Sequence, residues 1–367
     1  MRTVRTNALA ALVAVGGAAI AVLGTTGASA QYSPQFLVNG GVGTPTVFDA
    51  ANLSALPAMN LTSAGYTGTS LWNVLQASGG VNPIPGVKKN SILLNYVLSI
   101  GSDGYEVAFS GGSISPNFGG SDSNAPYVAY ALYPSGAPLT TSGMARIITQ
   151  GDAMHGRWNS NLVQLYVGAA PVPAAGPGGI SSSFTVKGVQ TPATYTLSTL
   201  QALAKSKGQE TTVTATYMQG SNSVTDTYTG ITLWNLLNDD GLILDPSIKN
   251  DVLRQYAEVV GTDGYAAIFS LGEIDPNFGG DNDIVAYADT SGQLGPGGAD
   301  GFARMVVPGD MFGGRYVSNI ASIEVFTATV PEPSTWALLA TSFVALGALR
   351  YRRRGSRLAR AFQLTGS

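Results

Sequence analysis

No cysteine occurs anywhere in the 367 residues, and histidine occurs once, at His155. Disulfides, thiolate metal ligands and cysteine nucleophiles are therefore excluded. A structural zinc site, built almost always from cysteine and histidine, lacks its material as well. Charge is scarce too: Asp, Glu, Lys and Arg make up 11% of the chain, against about 25% in an ordinary soluble domain. That excludes a coiled coil and a charge-rich disordered chain. Neither a Gly-x-x-x-x-Gly-Lys loop nor a Gly-x-Ser-x-Gly elbow is present, so phosphate-loop and serine-hydrolase readings have no support.

What the chain does have is an apolar share of 44% and 47 glycines without a three-residue period. The first suffices for a buried core, and the second excludes collagen. The formal charge of -3 hides an asymmetry, because eight of the 19 basic residues lie before residue 31 or after residue 349. Only Glu332 of the 22 acidic residues lies outside 31–330, so that body is strongly acidic. It has no basic excess with which to displace counterions, and nucleic acid is not an expected partner.

The ends read as addresses. Arg2 and Arg5, an apolar run from Ala8 to Leu23 and the small-residue site Ala28-Ser29-Ala30 form a secretory signal over 1–30. At the other end, Val330-Pro331-Glu332-Pro333 precedes an apolar stretch from Trp336 to Leu349 and then Arg350-Tyr351-Arg352-Arg353-Arg354. Fourteen residues of helix rise about 21 Å, short of a ~30 Å hydrocarbon core. Snorkelling arginines still allow such a helix to lodge in an inner membrane. This tail resembles the PEP-CTERM sorting signal of Gram-negative bacteria. The resemblance implies transient inner-membrane anchoring by a short transmembrane helix within 329–354 and a basic cytoplasmic tail over 355–367. It further implies an exosortase-type sorting enzyme as partner and delivery to the cell surface or extracellular matrix.

Between the ends, one unit is written twice. Tyr66-Thr67-Gly68 through Leu71-Trp72-Asn73 returns as Tyr228-Thr229-Gly230 through Leu233-Trp234-Asn235. Gly101 to Tyr105 and Pro116 to Gly120 return as Gly261 to Tyr265 and Pro276 to Gly280, and Gly143 to Arg157 returns as Gly301 to Arg315. The expected organisation is a first domain over 31–168, a Pro/Ala/Gly linker over 169–183 and a second domain over 184–328. Alternating or β-branched runs predict strands at Phe184–Gly188, Thr211–Tyr217, Tyr265–Phe269, Ile284–Tyr287, Ala303–Val307 and Ser322–Phe326. Leucine spacing predicts short helices at Leu197–Leu203 and Leu233–Leu237. Each copy is therefore read as α+β with a mixed, mostly β core.

The run Gly301-Phe302-Ala303-Arg304 through Gly309-Asp310, followed by Gly314-Arg315-Tyr316-Val317-Ser318-Asn319, resembles the molybdopterin-binding domain of the sulfite oxidase family. The resemblance implies that fold in both copies. It also implies that Arg304 and Arg146 match a cofactor-contacting arginine, and Arg315 and Arg157 a turn arginine. The family's pterin-binding lysine corresponds to Ser318 and Ser160, and its neighbouring histidine to Tyr316 and Trp158. Its molybdenum is held by a cysteine thiolate, and this chain has none, so the metal chemistry is expected to be lost.

A residual anion pocket on Arg146, Arg157, Arg304 and Arg315 is one expectation, since guanidinium forks match phosphate and carboxylate. The plainer one pairs those arginines with Asp152 or Asp310 to fix a turn. His155 is expected on a solvated loop. Asp103 and Asp263, each before Gly-Tyr, are expected to close turns, and Trp72 and Trp234 to anchor the core. The loop from Asp275 to Asp283 carries hard oxygen ligands, which makes Asp281 and Asp283 a candidate calcium pair. The reading is thus an exported surface or matrix protein, leaning towards a non-catalytic structural or ligand-binding module without a cofactor, with extracellular polysaccharide or matrix components as partners. Its alternatives are a molybdopterin-dependent oxidoreductase with a non-cysteine metal ligand and a calcium-dependent adhesion module.

Overall fold

Short strands separated by Gly, Pro and Asp turns dominate the chain, as its alternating runs require. The computed structural model describes residues 11–15, 18–22, 32–120, 125–141, 143–294 and 300–331. Near the start, β1 (Ala11–Val15) and β2 (Ala18–Val22) pair antiparallel as a separate unit. The expected cleavage site at Ala28-Ser29-Ala30, the apolar stretch from Trp336 to Leu349 and the basic tail lie outside the described residues. Among the described residues, no helix is long and apolar enough to cross a membrane.

From Ser33 on, the described residues belong to one compact unit. Its first half runs β3 (Phe36–Gly40), β4 (Thr46–Phe48), α1 (Ala50–Ser54), β5 (Met59–Leu61), β6 (Tyr66–Ser70) and α2 (Leu71–Ala77). It continues through β7 (Asn95–Gly101), β8 (Glu106–Ser110), α3 (Gly111–Ile114), β9 (Pro126–Leu132), β10 (Arg146–Thr149) and β11 (Leu162–Ala169). The second half opens with β12 (Phe184–Lys187), β13 (Ala193–Tyr195), α4 (Leu197–Ser206), β14 (Glu210–Gln219), β15 (Asn222–Thr232) and α5 (Leu233–Asp239). After these come β16 (Gln255–Gly261), β17 (Ala266–Ser270), α6 (Leu271–Ile274), β18 (Ile284–Asp289), β19 (Gly292–Gln293), β20 (Arg304–Val306) and β21 (Ile320–Thr327). The fold is mostly β with short helices, as the strand-rich patterning predicts.

The two halves repeat each other in topology. One sheet has the order β4-β3-β11-β7-β8 and its counterpart β13-β12-β21-β16-β17. In each, one pair is parallel, β3 with β11 and β12 with β21. The other sheets have the orders β10-β9-β6-β5 and β14-β15-β18-β19, with β20 also on β18. Local chemistry repeats as well: the Ser70 and Thr232 hydroxyls cap α2 and α5, each accepting from an Asn N–H at 3.1 Å. Leu71, Val74 and Leu75 in α2, like Leu233, Leu236 and Leu237 in α5, then face the core.

The halves dock by exchanging equivalent contacts. Tyr96 stacks on Tyr256, its own counterpart, at 5.4 Å between ring centroids. Asn90 Nδ2 donates to Tyr265 Oη at 2.9 Å, and Asn250 Nδ2 to Tyr105 Oη at 2.8 Å. Main chain follows: Met154 N donates to Asn277 O at 2.9 Å and Phe312 N to Asn117 O at 3.1 Å. Phe118 packs on Gly314 and Phe278 on Gly156, where a Cβ would collide with the ring. A surface patch whose residues contact their own equivalents is the geometry of an isologous dimer interface, here inside one chain. Residues 169–183 have little regular structure but are not loose, because Gly176 N and Gly178 N donate at 3.1 Å to Asp263 O and Thr262 O.

One departure from the repeat matters below. β5 has 3 residues and β6 has 5, whereas β14 has 10 and β15 has 11, so the second half projects a long hairpin. Cross-strand threonine pairs, Thr212 with Thr229, Thr214 with Thr227 and Thr216 with Thr225, line one face of it at 2.8–3.0 Å.

Phe118 and Phe278 are 4% and 8% exposed. Phe118→Ala and Phe278→Ala should each destabilise the protein by about 3–5 kcal/mol, and chemical denaturation should show one transition for both halves. Two separate transitions would show that the halves do not interlock. Within β16, Glu258 is buried directly opposite Glu324 of β21. Burial and then the Glu324 charge push its carboxyl up to about 7. A carboxyl raised in the folded state loses stability as pH rises from its unfolded value through its folded one. Glu258→Gln should therefore raise the melting temperature above pH 7, and the difference should close below about pH 4.5.

Candidate functional site

Four arginines anchor the loop ends of both halves, and the fold divides them into two kinds. Arg146 and Arg304 open β10 and β20, at the rim of their sheets. Arg157 and Arg315 end single 3-10 turns, His155–Arg157 and Gly313–Arg315, which point them inward. They are 0% and 2% exposed, and their stems lie against Gly272 and Gly112 of the opposite half.

The inward pair is neutralised by carboxylates. Arg157 Nε donates to both oxygens of Asp152, at 3.1 and 3.0 Å, and its Nη2 also bonds Asp152. Arg315 Nε donates to Asp310 Oδ2 at 2.8 Å, and Nη1 to Glu273 Oε1 at 2.9 Å. Glu273 also accepts from Ser110 Oγ across the interface at 2.7 Å and from Ser270 Oγ at 2.9 Å. The residue matching Glu273 in the first half is Ser113, which carries no charge, and Arg157 Nη1 is buried without a partner. These two arginines are thus interior struts, buried and held by carboxylates.

Of the proposed calcium pair, Asp283 is 1% exposed, with both carboxylate oxygens lacking a hydrogen-bond partner. Burial raises its carboxyl well above the usual range; Arg315 opposes this, while Asp281, Glu273 and Asp310 add to it. Asp281 is half-buried and holds the loop through its N–H, which donates to Glu273 O at 2.9 Å. Among the described residues, no three His, Asp or Glu side chains are grouped to hold a metal ion. The first-half counterpart loop, 121–124, lies outside the described residues.

The outward pair is aromatic-bound. Arg146 lies over the rings of Tyr66 and Trp158, 5.2 and 5.6 Å from their centroids, and Nη1 donates to Tyr66 Oη at 2.8 Å. Exposed His155 stacks on the same Trp158 at 3.6 Å. Arg304 lies over Tyr228 and Tyr316, at 5.6 and 5.7 Å, and Nη1 pairs with Asp300 Oδ2 at 2.7 Å. Ser318 Oγ donates to the other Asp300 oxygen at 2.5 Å, and Tyr316 Oη donates to Val307 O at 2.9 Å. Asp103 and Asp263 close their turns, accepting from Tyr105 N and Tyr265 N at 3.1 and 2.9 Å. Trp72 and Trp234 are half-buried and pack against the core.

Beside Arg304 a cavity of ≈950 Å³ opens. The second half supplies Arg304, Asp300, Tyr316, Ser318 and Tyr265. The first half closes it with Lys89, Asn90, Asn117 and Phe118. The tip of the long hairpin, Tyr217 to Gly220, forms a third wall. It is fixed there by Met218 N donating to Met311 O at 2.8 Å and by Tyr217 and Tyr316 rings 4.1 Å apart. Of these residues the sequence singled out Arg304 as a candidate, and Tyr316 and Ser318 only as replacements of the family's histidine and lysine; the hairpin tip and the first-half loops had no signal of that kind. The length mismatch upstream of the shared Tyr-Thr-Gly block was the available signal for the hairpin.

The PEP-CTERM protein-sorting motif matches residues 329–354. No curated protein matches the chain. A solved structure similar to part of it is the sulfane dehydrogenase SoxCD from Paracoccus pantotrophus, at 18% identity and a TM-score of 0.30, covering 39% of this chain and 38% of that one.

Asp283→Asn removes a carboxyl raised by burial and leaves the shape unchanged. Stability held by such a group is lost as pH rises above its unfolded value near 3.8. The variant should therefore melt higher than the parent at pH 7 and equal to it below about pH 3.8. A lower melting temperature at pH 7 would mean that the ionised carboxylate has an unseen stabilising partner.

Proposed function

We propose that the chain is an exported surface or matrix protein whose two halves are sulfite-oxidase-like domains used as a structural and ligand-binding scaffold rather than for molybdenum chemistry. The sorting motif marks an exosortase-processed protein delivered to the cell surface. The loss of redox chemistry rests on the residues themselves. The observation that carries it is the state of Arg304, the residue matching a cofactor arginine: its Nη1 is taken by Asp300, and its face by two tyrosine rings.

The residues present do not fit a molybdenum-bearing pterin. No thiolate exists to hold the metal. Where the family has a lysine and a histidine, Ser318 and Tyr316 stand with their hydroxyls already bonded inside the protein. The tandem-domain division is supported by the equal strand orders of the two halves. The halves act as one body because each completes the other's docking surface.

Two measurements check the reading. Protein recovered from a host able to make the pterin should contain no molybdenum by elemental mass spectrometry, and about one atom per chain would overturn it. In a host lacking its exosortase-type enzyme, the chain should keep residues 329–367 and stay with the cell envelope. Unchanged release and processing there would remove the sorting partner from the account.

A further inference from the structure

A cavity opens beside Arg304 of the second half. Its third wall is the tip of the long hairpin, and the first half has only the 3-residue β5 and 5-residue β6 in that place. At the equivalent rim, exposed His155 stacks on Trp158 instead. The second half has therefore elaborated a pocket around a scaffold arginine, and its volume of ≈950 Å³ is of ligand size.

Its chemistry selects the ligand class. The charged lining groups are Lys89 and Arg304 against Asp263 and Asp300, so the pocket has no net charge. Arg304 is already paired, so a phosphate or polyanion would meet one free cation, Lys89, and two carboxylates. The free polar groups are of another kind. Asn117 and Gln219 are exposed amides whose side chains carry both a donor and an acceptor. Exposed Asp263 uses one carboxylate oxygen to close its turn. Arg304 Nε is buried at the wall without a partner. The half-buried rings of Phe312 and Tyr265 lie among these groups. Burial holds the Tyr265 hydroxyl above the usual phenol range, so it stays neutral.

Interleaved amides, a carboxylate and aromatic rings in a neutral cavity match a ligand with hydroxyls that both donate and accept and with weakly polar C–H faces. We propose that this pocket, formed jointly by the hairpin tip, the Arg304 rim and the Lys89 and Asn117 loops, binds a neutral oligosaccharide. This assignment rests on the exported-scaffold reading and names the ligand of its pocket.

The test titrates the full-length chain by calorimetry with cellohexaose, maltohexaose and chitohexaose, using hexagalacturonate as the acidic comparison. At least one neutral hexaose should bind. Asn117→Ala, Gln219→Ala and Phe312→Ala should each weaken it about tenfold or more while the circular-dichroism spectrum stays unchanged. Met154→Ala, at the first-half position equivalent to Phe312, should bind as the parent does. Binding of none of the neutral probes, binding that all three pocket variants leave intact, or tighter binding of hexagalacturonate would each overturn the assignment. A molybdenum-free chain that binds no sugar would lose this assignment alone, whereas molybdenum that the same variants displace would remove the scaffold reading as well.

Discussion

Everything else in the structure depends on the reciprocal docking of the two halves. A 135- to 145-residue copy is large enough for its own core, yet each leaves a face that the other must cover. Phe118 and Phe278 are buried only because Gly314 and Gly156 on the opposite half leave room for their rings. Tyr105 and Tyr265 each donate to a carbonyl of their own half, Gly156 O at 2.7 Å and Gly314 O at 2.6 Å, and each accepts from an asparagine of the other half. The interface is thus wired into the two turns that carry Arg157 and Arg315.

Duplication of that kind frees one copy to diverge. The first half keeps a plain arginine–aspartate strut, while the second adds Glu273, bonded to Arg315 and to serines of both halves. Buried ion pairs are seldom a net source of stability, since desolvation offsets their attraction. Their effect here is to fix geometry: Arg315 holds the turn from which Phe312 and Tyr316 enter the cavity. The longer hairpin then turns an open rim into a walled pocket.

Much of this was legible in the sequence. The repeat, the strands from Phe184 to Phe326 and the short helices at Leu197 and Leu233 follow from periodicity and capping. The Asp103 and Asp263 turns follow from Asp-Gly-Tyr. The role of Arg157 and Arg315 was half legible: their spacing from Asp152 and Asp310 suggested a pair, but nothing local showed that the pair would be buried between halves. The pocket was not legible as a unit, because Lys89, Asn117, Gln219 and Arg304 come from four distant segments joined only by docking. The Thr-rich run Thr211 to Thr216 read as a strand, but its hairpin partner from Asn222 was masked by Ser, Asn and Asp residues that favour turns.

One half completes the pocket of the other, with Phe312 N donating to Asn117 O across the interface. The native chain has no cysteine, so an engineered pair has no competing thiol. The most direct measurement is thiol titration of the doubly substituted Asn117→Cys, Phe312→Cys chain after mild oxidation, in the folded state. Both thiols should disappear into one intrachain disulfide. Two thiols that stay titratable would contradict that docking, because the halves would then not meet at the pocket.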